Sequence, residues 1–228
     1  MKDIQVLNTG PFQVNTLIVR LNQNDVFVVD PAACFLTCDE NKITDFLLKN
    51  NLNPKAVILT HGHFDHITGT GILKEKFPDV PLICHKSDEN LVGKNAYKAQ
   101  FKSLEYMGAQ DIALALKNLP EPDILIEDKT ELKDLLPDWN FIHTPGHTPG
   151  SCCLFNKNKS LFISGDTLFF QSYGRTDLEG GNQQLMEQSL KMIANTIPKE
   201  TLVFPGHGKF GFRLEENSFL LNFIKTQF

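Results

Sequence analysis

A chain of 228 residues with 41% hydrophobic composition can bury a sizeable core and is expected to form one domain. Its formal net charge of -5 and the lack of a basic stripe argue against a nucleic-acid partner, and no stretch is apolar and long enough to cross a membrane. Five cysteines, an odd number with Cys152 and Cys153 adjacent and no Cys-x-x-Cys spacing, argue against both a disulfide framework and a cysteine-rich metal cluster.

In chain order, Met1 to Leu7 is polar and enters an alternating strand pattern directly, without the apolar core of a signal peptide, so a reducing cytoplasm is expected. Ile4–Asn8, Gln13–Leu21 and Asp25–Asp30 read as strands separated by turn signals, an antiparallel beginning. Asp30, at the end of Val26-Phe27-Val28-Val29, fits equally a plain turn former and a partner that orients a metal-bound histidine. Cys34 and Cys38 flank the following loop as unpaired, partly buried thiols. Residues 39–50 carry a helical stripe on Ile43, Phe46 and Leu47, and Lys55–Thr60 is a short apolar run of the buried-strand type.

That run leads into Thr60-His61-Gly62-His63-Phe64-Asp65-His66, where four metal-capable side chains fall within six positions. Open α/β sheets place ligand sites at the carboxyl ends of strands, and this segment lies there. Gly62 permits a tight turn, extended geometry sends His61 and His63 to one side, and a helix is expected from about Asp65 through Phe77. Val80–His85 reads as a strand and Ser87-Asp88-Glu89 as a helix start with acidic residues in its first turn. Residues 94–118 fit either two helices packed on the sheet or a cover over a site.

The second half repeats the order of the first. Asp123–Glu127, Asn140–His143, Ser151–Phe155 and Ser160–Ser164 read as strands, 182–196 as an amphipathic helix, Leu202-Val203-Phe204 as a last strand and 214–228 as a terminal helix. Two similar halves imply two sheets with helices outside. Three more metal-capable residues follow strands beside glycine or proline: His147 in Thr144-Pro145-Gly146-His147, Asp166 in Ser164-Gly165-Asp166 and His207 in Pro205-Gly206-His207-Gly208. Each alone would pass for a structural histidine or a turn aspartate. Together with the first motif they make five histidines and two aspartates, enough for two ions with room for water. His85 and His143 are not counted.

These residues, in this order and at these intervals, resemble the metallo-β-lactamase superfamily. The resemblance implies a four-layer αββα sandwich, an α/β fold with a binuclear site. It also implies that one ion takes His61, His63 and His147, the other Asp65, His66 and His207, and that Asp166 bridges both. Thr144–Ser151 and Gly165–Phe169 are similar to the glyoxalase II branch, which hydrolyses thioesters such as S-D-lactoylglutathione. With one helix after His207, residues 1–228 resemble the short, single-domain bacterial enzymes of that type, without a separate C-terminal glutathione-binding domain.

The expected activity is metal-dependent thioester hydrolysis of a small molecule by a hydroxide shared between two divalent ions about 3.5–4 Å apart, with Asp65 and Asp166 at the reacting centre. Zinc suits the ligands first, and iron and manganese also fit. Arg175 is a candidate anchor for a substrate carboxylate or the partner of Asp177, and Tyr173 could present its hydroxyl to substrate or simply pack its loop. Two other readings stand beside this one. The persulfide dioxygenase branch shares His66-Ile67-Thr68-Gly69 and Gly174-Arg175-Thr176-Asp177, and would hold one iron on His61, His147 and Asp166. A non-catalytic metal-binding protein is the third, although its site would be expected to carry cysteines.

Overall fold

Three alternating apolar segments begin the chain and pair as they should: β1 (Ile4–Thr9), β2 (Val14–Arg20) and β3 (Asp25–Val29) form an antiparallel set. The computed structural model describes residues 3–127, 130 and 132–225, without the side chains of residues 224 and 225. The part of the expected terminal helix at residues 226–228 lies outside them. By its contacts the chain divides into two units, Met1–Ile126 and Glu127–Phe228, each with its own sheet.

In the first unit α1 (Lys42–Lys49) leads to β4 (Asn53–Ile58), which joins β3 in parallel and starts a run continued by β5 (Leu82–His85) and β6 (Ile124–Ile126). The sheet order is β1-β2-β3-β4-β5-β6. Alternate residues Val26, Val28, Val57, Leu82 and Cys84 of the strands, with Leu59 just past β4, pack in one core with Ile43 and Leu47 of α1 and with Leu104, Ile112 and Leu116. The last three settle the reading of residues 94–118. α4 (Ala96–Tyr106) and the 3-10 turn Gln110–Leu116 are part of the core, since burying each such side chain stabilises by roughly 1.5–3 kcal/mol.

Two local expectations change. The helix expected through Phe77 is two short ones, α2 (Phe64–Ile67) and α3 (Thr70–Lys76). The Gly69 N–H between them donates to the Pro31 carbonyl at 2.8 Å, and a Cβ at Gly69 would lie 2.9 Å from that oxygen. The helix expected at Ser87 is a 3-10 turn, Lys86–Leu91.

The second unit holds a sheet of order β13-β12-β9-β8-β7, built from β7 (Trp139–His143), β8 (Cys152–Asn156), β9 (Leu161–Gly165), β12 (Leu202–Pro205) and β13 (Phe212–Arg213). A two-residue-per-strand hairpin, β10 (Leu168–Phe169) and β11 (Ser172–Tyr173), follows β9. α5 (Gln183–Thr196) buries Met186, Leu190 and Ile193 against Cys153, Phe162 and Val203, and α6 (Ser218–Lys225) adds Leu220 to the same core. Each unit is thus a sheet carrying helices on a packed face, the mixed α/β composition read from the sequence. Among the described residues no helix is long and apolar enough to cross a membrane.

Candidate metal centre

β3 and β4 run parallel with Val29 beside Ile58, so the chain leaves both strands at one edge. Asp30 turns there in the left-handed region, φ 50°, which aspartate tolerates better than most residues. Its amide donates to Ile58 O at 3.0 Å. The carboxylate accepts from the Thr60 N–H and the Thr60 hydroxyl, both at 2.7 Å, and lies 3.0 Å from His66 Nδ1. The last contact brings the ring nitrogen close to the oxygen without the alignment of a hydrogen bond. Because the Thr60 hydroxyl gives its proton to Asp30, it can only accept from His61 Nδ1, 3.1 Å away.

One carboxylate therefore favours the proton on Nδ1 of both His61 and His66 and leaves each Nε2 with its lone pair available, the arrangement metal-binding imidazoles require. Asp30 thus both turns the chain at the strand end and contacts Thr60 and His66. His61, His63, Asp65 and His66 are all buried. The His61 and His63 rings stand 4.9 Å apart edge to face, those of His61 and His66 4.2 Å apart. Asp30, His61 and His66 bring one ligand atom each within 4.8 Å of one another, and Asp65 Oδ2 lies 3.7 Å from His66 Nε2.

Gly62 serves this cluster differently from the expectation of a tight turn. It is not in the left-handed region, but a Cβ there would lie 2.6 Å from Leu91 Cβ, so glycine is required by close approach.

In the second unit the loop 144–151 is closed by Thr144 N–H to Ser151 O at 2.8 Å. Gly146, at φ 145°, lies so close to Met186 of α5 that a Cβ would collide with the helix backbone. β9 and β12 run parallel, and the Gly206 N–H donates to Gly165 O at 2.9 Å, which places His207 and Asp166 side by side. Asp166 Oδ2 then sits 3.5 Å from both His147 Nε2 and His207 Nε2.

The tautomer of His147 makes this arrangement informative. Its Nδ1 is 2.7 Å from the Arg175 carbonyl, which can only accept, so Nδ1 carries the proton. That leaves Nε2 directed at the carboxylate oxygen of Asp166, and a ring nitrogen facing a carboxylate between buried residues is a donor pair that fits a cation. The donor set, imidazole and carboxylate without sulfur, suits a catalytic divalent metal better than a closed structural zinc.

A family model described as the metallo-beta-lactamase superfamily matches residues 9–207. The chain belongs to this superfamily. Within it, the Bacillus subtilis protein named probable metallo-hydrolase YqgX is 32% identical over 200 residues, 87% of each chain. The Haemophilus influenzae hydroxyacylglutathione hydrolase GloC is 26% identical and covers 96% of this chain and 98% of its own. Among solved structures, the BLEG-1 B3 metallo-β-lactamase aligns with a TM-score of 0.80 at 27% identity, covering 95% of this chain and 99% of its own. TTHA1623, solved in a di-iron-bound form, gives 0.74 at 28%, covering 94% and 96%. The fold is that of the metallo-β-lactamases, as the resemblance implied.

The other picks from the sequence have plainer surroundings. Arg175 forks onto Asp177 through Nε–Oδ1 at 2.7 Å and Nη2–Oδ2 at 2.8 Å, and the guanidinium holds the Asp177 carboxyl down at about 2. Its backbone carbonyl, by contrast, orients His147. Tyr173 stacks on Phe219 at 5.4 Å and accepts a hydrogen bond from Gln183. His85 accepts from the Ser87 N–H and His143 meets the Pro149 carbonyl, both structural contacts. Cys34 is buried, whereas Cys38 is exposed rather than partly buried. The sequence reading missed Thr60 as a relay, Gly174 and the Arg175 carbonyl. A Cβ at Gly174 would collide with the Asp166 carbonyl, and a glycine before Arg175 was the available signal.

Proposed function

We propose that the chain is a metal-dependent thioester hydrolase of the hydroxyacylglutathione hydrolase type. The observation that carries the reading is Asp166 with an imidazole Nε2 at 3.5 Å on each side, one from His147 and one from His207. A mononuclear dioxygenase of the kind described above has no use for His207 in that position. The similarity to GloC along nearly the whole of both chains supports the substrate class. The family match, which covers residues 9–207 and so runs across both units, supports reading residues 1–228 as one metallo-β-lactamase-like domain.

In this proposal His61, His63 and His147 would hold one ion and Asp65, His66 and His207 the other, with Asp166 as a ligand common to the two. Two divalent ions, zinc first with iron or manganese as substitutes, would supply a hydroxide at neutral pH and a positive charge beside the thioester carbonyl oxygen. The chain's own part is to orient those ligands. Asp30, through Thr60 and directly, holds His61 and His66 in the Nε2-binding tautomer, and the Arg175 carbonyl does so for His147. Asp65 and Asp166 accept hydrogen bonds from the attacking water and fix its approach. Arg175 is a substrate anchor only if it leaves Asp177 when a carboxylate enters, and Tyr173 only if its hydroxyl leaves Gln183.

No nucleic-acid or membrane partner is proposed. All five cysteines are free thiols, which supports a reducing compartment such as the cytoplasm. The test compares wild type with His207→Ala on S-D-lactoylglutathione, on glutathione persulfide and on a β-lactam. A hydrolase of this class cleaves the thioester, and His207→Ala loses at least a hundredfold in kcat/KM. Sulfite production from persulfide that survives His207→Ala would replace the proposal with the dioxygenase. Metal-loaded protein inert to every substrate would favour a non-catalytic metal-binding role.

A further inference from the structure

Gly62, His63 and Phe64 are held by two side chains from a segment that carries no metal ligand. Asp88 is fully buried and its Oδ2 accepts from the Gly62 N–H at 2.8 Å. Gln100, on α4 and 2% exposed, accepts from the Phe64 N–H at 2.7 Å through Oε1 and donates to the Gly62 carbonyl at 2.9 Å through Nε2. The same Nε2 donates to Leu91 O at 2.7 Å, which ties the loop to the 3-10 turn beneath it.

His63 is extended, with φ -65° and ψ 148°. In an extended chain the carbonyl of one residue and the N–H two residues on face the same side. The Gln100 amide pairs with both, as a neighbouring strand would, and so fixes the two torsions of the residue between them. Asp88 fixes the peptide joining His61 to Gly62.

We propose that Asp88 and Gln100 are positioning residues of the metal loop, setting the directions of His61 and His63 through the backbone that carries them. The inference rests on the reading that these histidines hold metal. It assigns α4 a second task beyond its apolar packing, which would otherwise be met by any buried leucine at position 100.

The experiment loads purified protein with Co(II) and reads its visible absorption bands and its affinity in competition with a chelator, alongside thermal unfolding. Gln100→Leu and Asp88→Ala should weaken Co(II) binding by roughly ten- to a hundredfold, as loss of an orienting partner does, and should shift the bands. Asp88→Asn, which keeps an acceptor oxygen for the Gly62 N–H, should stay within about threefold of wild type. Leu47→Ala, a core truncation in the same unit, should lower the melting temperature and leave affinity and bands unchanged. If Gln100→Leu fails to fold, the pair Asp88→Ala and Asp88→Asn decides. Variants that melt earlier yet bind Co(II) with wild-type affinity and bands would overturn the positioning role. Wild type that binds no Co(II) would instead overturn the metal reading on which it rests.

Discussion

At Asp30 one buried carboxylate accepts from the Thr60 amide and the Thr60 hydroxyl and lies 3.0 Å from His66 Nδ1. Truncating it strands the Thr60 N–H, at a cost of about 1–3 kcal/mol, and releases the tautomers of His61 and His66. Asp30→Ala is therefore expected to lower both the melting temperature and, by ten- to a hundredfold, the metal affinity; titration of the apo variant with zinc checks this. Burial pushes the Cys84 and Cys153 thiols up to about 12, in Cys153 against the opposing hydrogen bonds of Thr144 and Thr167. Since the thiolate is the reactive form, native protein at pH 8 should take label at exposed Cys38 long before these two, and mass spectrometry after brief alkylation would show it. The sign for stability follows: an unfolded thiol ionises near the ordinary value of 9.0 while the folded one stays neutral to about 12. The contribution is full below pH 9 and is lost as pH rises from there to 12.

At the scale of elements, much of the site was legible because it follows from strand ends. Thr60–His66, His147, Asp166 and His207 each leave a strand, and the parallel pairs β3–β4 and β9–β12 put their exits side by side. What the sequence hid are contacts from far along the chain. Asp88 and Gln100 stand 26 and 36 residues from the backbone groups they bind, and no local pattern marks a buried glutamine as a peptide partner. β10 and β11, two residues each, are too short to show a period. The glycine beyond them has its own consequence. Gly174→Ala drives a Cβ into the Asp166 carbonyl, and in the proposed enzyme a shift of Asp166 by about 1 Å is enough to cost about a hundredfold in turnover. Kinetics beside circular dichroism should show that loss with secondary structure retained. Asn182, whose side chain accepts from the Leu185 N–H at 3.0 Å at the start of α5, should cost about 1 kcal/mol when changed to alanine, read by chemical denaturation.

For the whole molecule, length and composition pointed to one domain and charge argued against a nucleic-acid partner, whereas the layered α/β expectation came from the order of elements and the family from the resemblance that the ligand motifs carry. The repeated order of strands, helix and strand emerges as two units, each with its own sheet and each carrying some of the candidate ligands. In the proposed enzyme neither unit is sufficient, so activity should depend on metal stoichiometry. The most direct measurement is a titration of metal-free protein with zinc, following hydrolysis of S-D-lactoylglutathione while metal per chain is counted. Hydrolysis should rise to a plateau at two ions per chain. A plateau at one ion, or two bound ions with no thioester cleavage, would contradict the account.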